Sequence, residues 1–214
     1  MVTPEPPAGR AVHDPRILRA IAHPARNRIL TELSASGPLR AADIARVLDM
    51  PANQASFHLR QLAKYGLVEE APEAGRDRRD RVWRMVDERG ITVDLREVED
   101  APGGKAAVSV FRRTAVAWAH DVVEHAYDTI REEGVFRSVS EQPLKLTRDE
   151  AAELSRELDD VLAAWAARTR GRDESRRTYL LFQVLLPYPG HPANPANPAH
   201  PDSSGPEDRA EPAG

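Results

Sequence analysis

Cysteine is absent from the chain, which excludes disulfides, thiolate metal centres and a cysteine nucleophile together. No run of about 18 apolar residues occurs, and no charged start is followed by an apolar stretch, so neither a membrane span nor a secretory signal is expected. A cytoplasmic protein is the expectation. There is also no glycine-rich phosphate loop and no recognisable Ser/His/Asp setting, and the paired acids Glu132-Glu133 and Asp159-Asp160 are adjacent rather than facing. Nothing points to an enzyme, and no cofactor is implied.

What is present is a 41% apolar fraction, enough for a packed core, flanked by segments of different character. Residues 1–12 and 188–214 carry much Pro, Gly and small polar residue and too few apolar side chains to offset the entropy of ordering. They are expected as a disordered N-terminal arm and a Pro-rich disordered tail, whose Asn-Pro-Ala iteration favours extended segments that a partner can bind. The net charge of −4 conceals a split. Residues 10–90 hold 15 Lys and Arg against 11 Asp and Glu, or +4, and the remainder holds 15 against 23, or −8. An anion-binding front half joined to an acidic rear half is the hint this gives.

Asp14-Pro15 opens the first periodic segment, with Ile17, Leu18 and Ile21 on one stripe, and His23-Pro24 interrupts it. PARNRILTELSA follows, aligning Ile29, Leu30 and Leu33 before Gly37-Pro38. RAADIARVLDM then aligns Ile44, Val47 and Leu48, and a very short turn separates it from PANQASFHLRQL. In that helix Ala55, His58, Leu59 and Leu62 fall at i, i+3, i+4 and i+7 and define the buried stripe, which makes His58 a packing residue before it is a ligand. Gly66 caps it in the left-handed region, and Leu67-Val68 begins an extended stretch. A turn-rich loop, EEAPEAGRDRRDR, leads to the β-forming run Val82 to Val86. Helices, strand, basic loop and returning strand in this order describe a winged helix-turn-helix over residues 13–90.

The face opposite the buried stripe has the layout of a DNA-reading surface. Asn53, Gln54, Ser56, Phe57 and Arg60 are placed toward base edges, and Gln61 and Lys64 toward the backbone. Amides pair with adenine, arginine with guanine, and a phenyl ring meets the thymine methyl. At the wing tip Arg76, Arg78, Arg79 and Arg81 are candidates for phosphates or the minor groove, although Asp77 and Asp80 cut the loop's charge to +2.

Residues 14–86 resemble the winged helix-turn-helix of ArsR-type bacterial regulators, on LRAIAHPARNRIL, on AADIARVLDMPANQASFHLRQLAKYGLVEE and on RVWRMV. The resemblance implies regulation of transcription by a DNA-binding homodimer. One departure matters: where metal-sensing members carry a cysteine pair, this chain has Ala42-Asp43-Ile44-Ala45. A thiolate sensor is therefore excluded.

Residues 91–187 are expected to form a small α/β dimerisation and effector region, so that the whole is predominantly α with a little β. ITVDLREV is ambiguous between strand and helix, and APGGK suggests a hinge. Residues 105–132 read as one long helix whose Val108, Phe111, Ala115, Ala119, Val122 and Ala126 form a face wide enough to need a partner helix, with Val116, Val123 and Ile130 beside it. His120, Glu124 and Asp128 share one face at a spacing that suits a divalent cation, but solvated i,i+4 pairs are the simpler reading, and no metal site is assigned. Thr147 to Glu150 is a capping box opening a helix to about Arg170, and YLLFQVLL, residues 179–186, reads as a buried strand. Double-stranded DNA, a second copy of the chain and a small-molecule effector are the expected partners, and a membrane is not. The alternative reading is a winged helix that binds protein or ligand and has no operator.

Overall fold

A computed structural model describes residues 10–75, 81–129, 132–171 and 175–188. Asp14 caps α1 (Pro15–Ile21) by accepting the Arg16 amide at 2.7 Å, and proline occupies the first turn, where its missing N–H costs nothing. Pro24 ends that helix and begins α2 (Pro24–Ser36), which stops at Gly37, φ +78. The short strand Leu39–Arg40, here β2, is followed by α3 (Ala41–Val47) and α4 (Ala52–Lys64). Strands β3 (Val68–Glu70) and β4 (Val82–Met85) then form the antiparallel wing, and β4 also pairs with β2 to give the order β2-β4-β3. The fold is a winged helix-turn-helix, mostly helical with small sheets.

One strand was not visible in the sequence. Arg10–Val12, expected within a disordered arm, forms β1 and pairs in parallel with β5 (Ile91–Val93), in the register Ala11 to Thr92. Val12 is 1% exposed. The ambiguous ITVDLREV resolves into both candidates, β5 and then α5 (Leu95–Asp100), capped by Asp94 accepting the Arg96 and Glu97 amides.

Leu18, Ile29, Leu33, Ile44, Leu59, Leu62 and Leu67 are fully buried and make one core, and Val98, Ala107 and Val108 belong to the same cluster. The core thus runs past residue 90 into α5 and the start of α6 (Gly104–Ala126). APGGK is not a hinge. Gly103 takes φ +76, and Gly104 packs so closely on α5 that an added Cβ would stand 1.8 Å from the Val98 carbonyl oxygen.

Helix α7 (Arg148–Thr169) begins with the expected capping box: Thr147 Oγ1 accepts the Glu150 amide at 3.2 Å, and the Glu150 carboxylate accepts the Thr147 amide at 2.7 Å. YLLFQVLL departs from expectation. It forms no strand, and its apolar residues are all substantially exposed, Leu181 at 63% and Val184 at 60%. A continuous apolar run reports a demand for cover; it does not say whether the same chain supplies it. By Cα proximity the chain divides into residues 1–182 and 183–214; of the second unit residues 183–188 are described, extended and exposed. Among the described residues no helix is long and apolar enough to cross a membrane.

Candidate nucleic-acid interface

Helix α4 contains no β-branched residue, proline or glycine, so its propensity and its apolar stripe agree. Pro51 stands at its N-cap, and at the far end Leu67 N–H donates to the Leu62 carbonyl at 3.1 Å around Gly66, φ +63. The inward residues Ala55, Leu59 and Leu62 are fully buried, which fixes the opposite face toward solvent. Asn53, Gln54, Arg60 and Lys64 are exposed there, Phe57 is 50% exposed, and Ser56 and Gln61 are half-buried at the flanks. No acidic residue occurs in ANQASFHLRQLAK. The structure therefore gathers the residues expected to read bases onto one face. Among the described residues the Arg60 side chain has no hydrogen bond or ion pair, and Asn53 Oδ1 accepts the Gln54 amide at 2.9 Å.

Two features absent from the sequence reading hold α4 against α3. Asp49 adopts φ +50, a left-handed conformation that Asp tolerates better than most residues, and the Met50 amide donates to the Ala45 carbonyl at 2.9 Å. Arg28 on α2 donates from Nη2 to the Leu48 carbonyl at 3.0 Å, tying the turn to the core. At the start of α3 the buried Asp43 carboxylate accepts from Arg40 Nε at 2.8 Å, from Arg40 Nη2 at 2.9 Å and from Arg46 Nη2 at 3.1 Å. Periodicity marks Asp43 as polar; only the fold shows it is a buried acceptor.

His58 lies on the buried face of α4, 5% exposed, with its ring centroid 4.8 Å from that of His23 and 5.4 Å from that of Phe57. Its Nδ1 has no hydrogen-bond partner among the described residues. Burial first, then the nearby charges of His23 and Arg26, hold the His58 pKa below the usual histidine value. Burial and Arg26 do the same for His23. Both imidazoles are therefore held toward the neutral form, which suits packing.

The wing is less basic than its loop suggests. Arg84 pairs with Glu69 at 2.8 Å and with Glu73 at 2.6 Å, and Arg81 lies 3.7 Å from Glu70. Arg76, Arg78 and Arg79 lie outside the described residues.

On α6 the expected dimer face is partly used within the chain. Val108 is buried in the core and Phe111 packs against it; Ala119, Val122 and Ala126 are half-buried and Ala115 is exposed. The large exposed apolar side chains on α6 are instead Val110, Val116, Trp118 and Val123, followed by Tyr127 at its C-cap and joined on α7 by Val161, Leu162 and Trp165. Trp118 was missed, although it stands two helical turns beyond Phe111. His120 and Glu124 are exposed on α6 and Asp128 lies beyond its end; among the described residues no three His, Asp or Glu side chains gather as metal ligands would.

Residues 21–71 match a family model described as a helix-turn-helix domain, about a quarter of the chain. No curated protein matches in sequence. Among solved structures, the YusO protein from Bacillus subtilis aligns over 71% of this chain and 82% of its own, at 12% identity and a TM-score of 0.31. Wild-type apo MarR from E. coli aligns over 70% and 88%, at 17% identity and a TM-score of 0.31. A mutant MepR from S. aureus, bound to an oligodeoxyribonucleotide, aligns over 72% and 86%, at 15% identity and a TM-score of 0.29. These are distant likenesses.

Proposed function

We propose that this chain is a DNA-binding transcription regulator whose α4 enters the major groove. The observation that carries the reading is the acid-free solvent face of α4, where Asn53, Gln54, Phe57, Arg60 and Lys64 stand exposed on a helix seated firmly by Ala55, Leu59 and Leu62. A helix of this width fits a major groove about 12 Å across, and amide and guanidinium groups recognise adenine and guanine edges there. The motif pattern over residues 14–86 supports an ArsR-type winged helix.

The regulator acts as a homodimer in this reading. Val116, Trp118 and Val123 on α6, Tyr127 at its C-cap, and Val161, Leu162 and Trp165 on α7 supply the apolar surface a second copy would cover. Two α4 helices then enter successive major grooves about 34 Å apart on a pseudo-palindromic operator. Repression by blocking promoter access, in the cytoplasm, completes the proposal, with residues 91–187 as the dimerisation and effector region.

The test is selection from random duplex DNA with the full chain, followed by mobility shift on the enriched sequence. Two half-sites spaced by about 10 base pairs are expected, with affinity falling steeply as salt rises. If selection enriches no sequence over several rounds, the DNA reading fails and a protein-binding winged helix takes its place.

A further inference from the structure

Helix α7 is tied to the winged helix by the residue that follows it, Arg170. None of Arg148–Thr169 is buried, yet the Arg170 side chain keeps only 23% exposure. Arg170 Nη1 donates to the Glu88 carboxylate and Nη2 to the Glu88 carbonyl oxygen at 3.2 Å, in the turn by which the chain leaves β4. Its aliphatic stem lies on Gly37, where an added Cβ would stand 3.3 Å from Arg170 Cγ. Leu33, Gly37, Pro38, Met85, Glu88 and Arg170 line a shallow cleft with room for about one water molecule. Nearby in sequence, Thr178 Oγ1 donates at 3.2 Å to the buried carboxylate of Glu32, whose other oxygen accepts the Ser36 hydroxyl at 2.6 Å. Both anchors fall on the last turns of α2 or the base of the wing.

We propose that the Arg170 clamp is a latch through which the rear helices set the wing: with α7 in place Glu88 and the end of β4 are held, and displacing α7 frees them. This rests on the DNA-binding reading, because the wing matters to DNA only if that reading holds. The physical argument is leverage. A helix of 22 residues with no buried side chain is held at its C-terminal end by a charged fork, and Val161, Leu162 and Trp165 on it are exposed. Any displacement of α7 reaches Glu88 through Arg170, and with it the segment that follows the β3–β4 ladder. There the Val86 amide donates to the Leu67 carbonyl at 3.2 Å, directly above the α4 cap. The latch requires no global change, only release of one side chain.

Amide hydrogen exchange on the full chain tests it, comparing wild type with Arg170→Gln, Glu88→Gln and the double variant. Loss of a charge-assisted fork predicts exchange about tenfold faster at Val86 and Gly90 in either single variant, with α3 and α4 unchanged and no further increase in the double variant. Affinity for the selected duplex should fall about three- to tenfold in the same variants. Unchanged exchange at Val86 and Gly90, or an equal rise throughout the chain, overturns the latch. So does faster local exchange with unaltered DNA affinity. If exchange responds as expected but no duplex is ever enriched, the DNA reading fails, and control of DNA binding fails with it, while the clamp on the wing base stands.

Discussion

Replacing Gly104 by alanine is the sharpest test of how the rear half is joined to the winged helix. The new Cβ would stand 1.8 Å from the Val98 carbonyl oxygen and 2.9 Å from that of Glu99, both backbone atoms that no rotamer change can move. Restoring ordinary van der Waals separation requires α5 and α6 to part by about 1.5–2 Å. That gap opens beside Val98 and Ala107, each 0% exposed, and Val108, 5% exposed. Overpacking of side chains costs about 1–3 kcal/mol, and a backbone collision lies at the upper end. Helix propensity returns less than about 1 kcal/mol, because residue 104 opens the helix. A net loss of about 2–3 kcal/mol follows, or roughly 4–12 °C in Tm for a chain of this size. Thermal unfolding by far-UV circular dichroism is the assay. Gly90→Ala is the control: φ is +97 but nothing lies within 4 Å, so left-handed strain of about 1–2 kcal/mol is all it should show. A Gly104→Ala protein melting within about 2 °C of wild type would refute the close approach and the packing built on it.

Asp43→Ala should cost about 2 kcal/mol, since Arg40 and Arg46 lose a buried acceptor, and urea unfolding would read it; no change in midpoint would remove Asp43 from the support of α3. Phe57→Ala and Arg60→Ala should leave stability within about 0.5 kcal/mol while weakening binding to the selected operator about 10- to 100-fold, so variants that melt early or bind normally count against the docking face. For His58 the sign follows from its depressed pKa: the unfolded chain takes the proton more readily, so this contribution is intact above the ordinary histidine pKa and is lost as pH falls through the folded value. Tm should therefore drop more between pH 8 and pH 5 in wild type than in His58→Leu, and parallel curves would contradict the buried neutral ring. The homodimer is tested by light scattering on the full chain, where Trp118→Glu with Trp165→Glu should shift the mass from dimer to monomer; a monomeric wild type would remove that part of the proposal.

Local chemistry made the front half legible. Asp14-Pro15, His23-Pro24 and Gly66 are short-range signals, and their caps and breaks stand where such residues put them. The polar face of α4 was legible for the same reason, because periodicity alone assigns Leu59 inward and Arg60 outward. What could not be read depends on distant partners. Three-residue strands such as Arg10–Val12 carry no pattern of their own, and their pairing with Ile91–Val93 is decided by tertiary geometry. Val108 and Phe111 looked like dimer residues because a stripe shows that a face needs cover without naming what covers it. Arg170 and Arg28 gave no signal at all, since an arginine near a helix end is ordinary until the carbonyl it reaches is known.

The parallel pairing of β1 with β5 also bears on how the chain is made. During synthesis Arg10–Val12 leave the ribosome well before Ile91–Val93, their ladder partner among the described residues, so that strand must wait until the helices and wing between them have emerged. Joining the two strands closes a loop of about 80 residues, whose entropy is offset only when α1 and α5 dock on α6 as well. Assembly of the winged helix is therefore expected to finish late, when Arg10–Val12 is clasped. A fragment cut just after the wing would leave Val12 without its partner strand, and a minimal DNA-binding fragment should be carried through Val108.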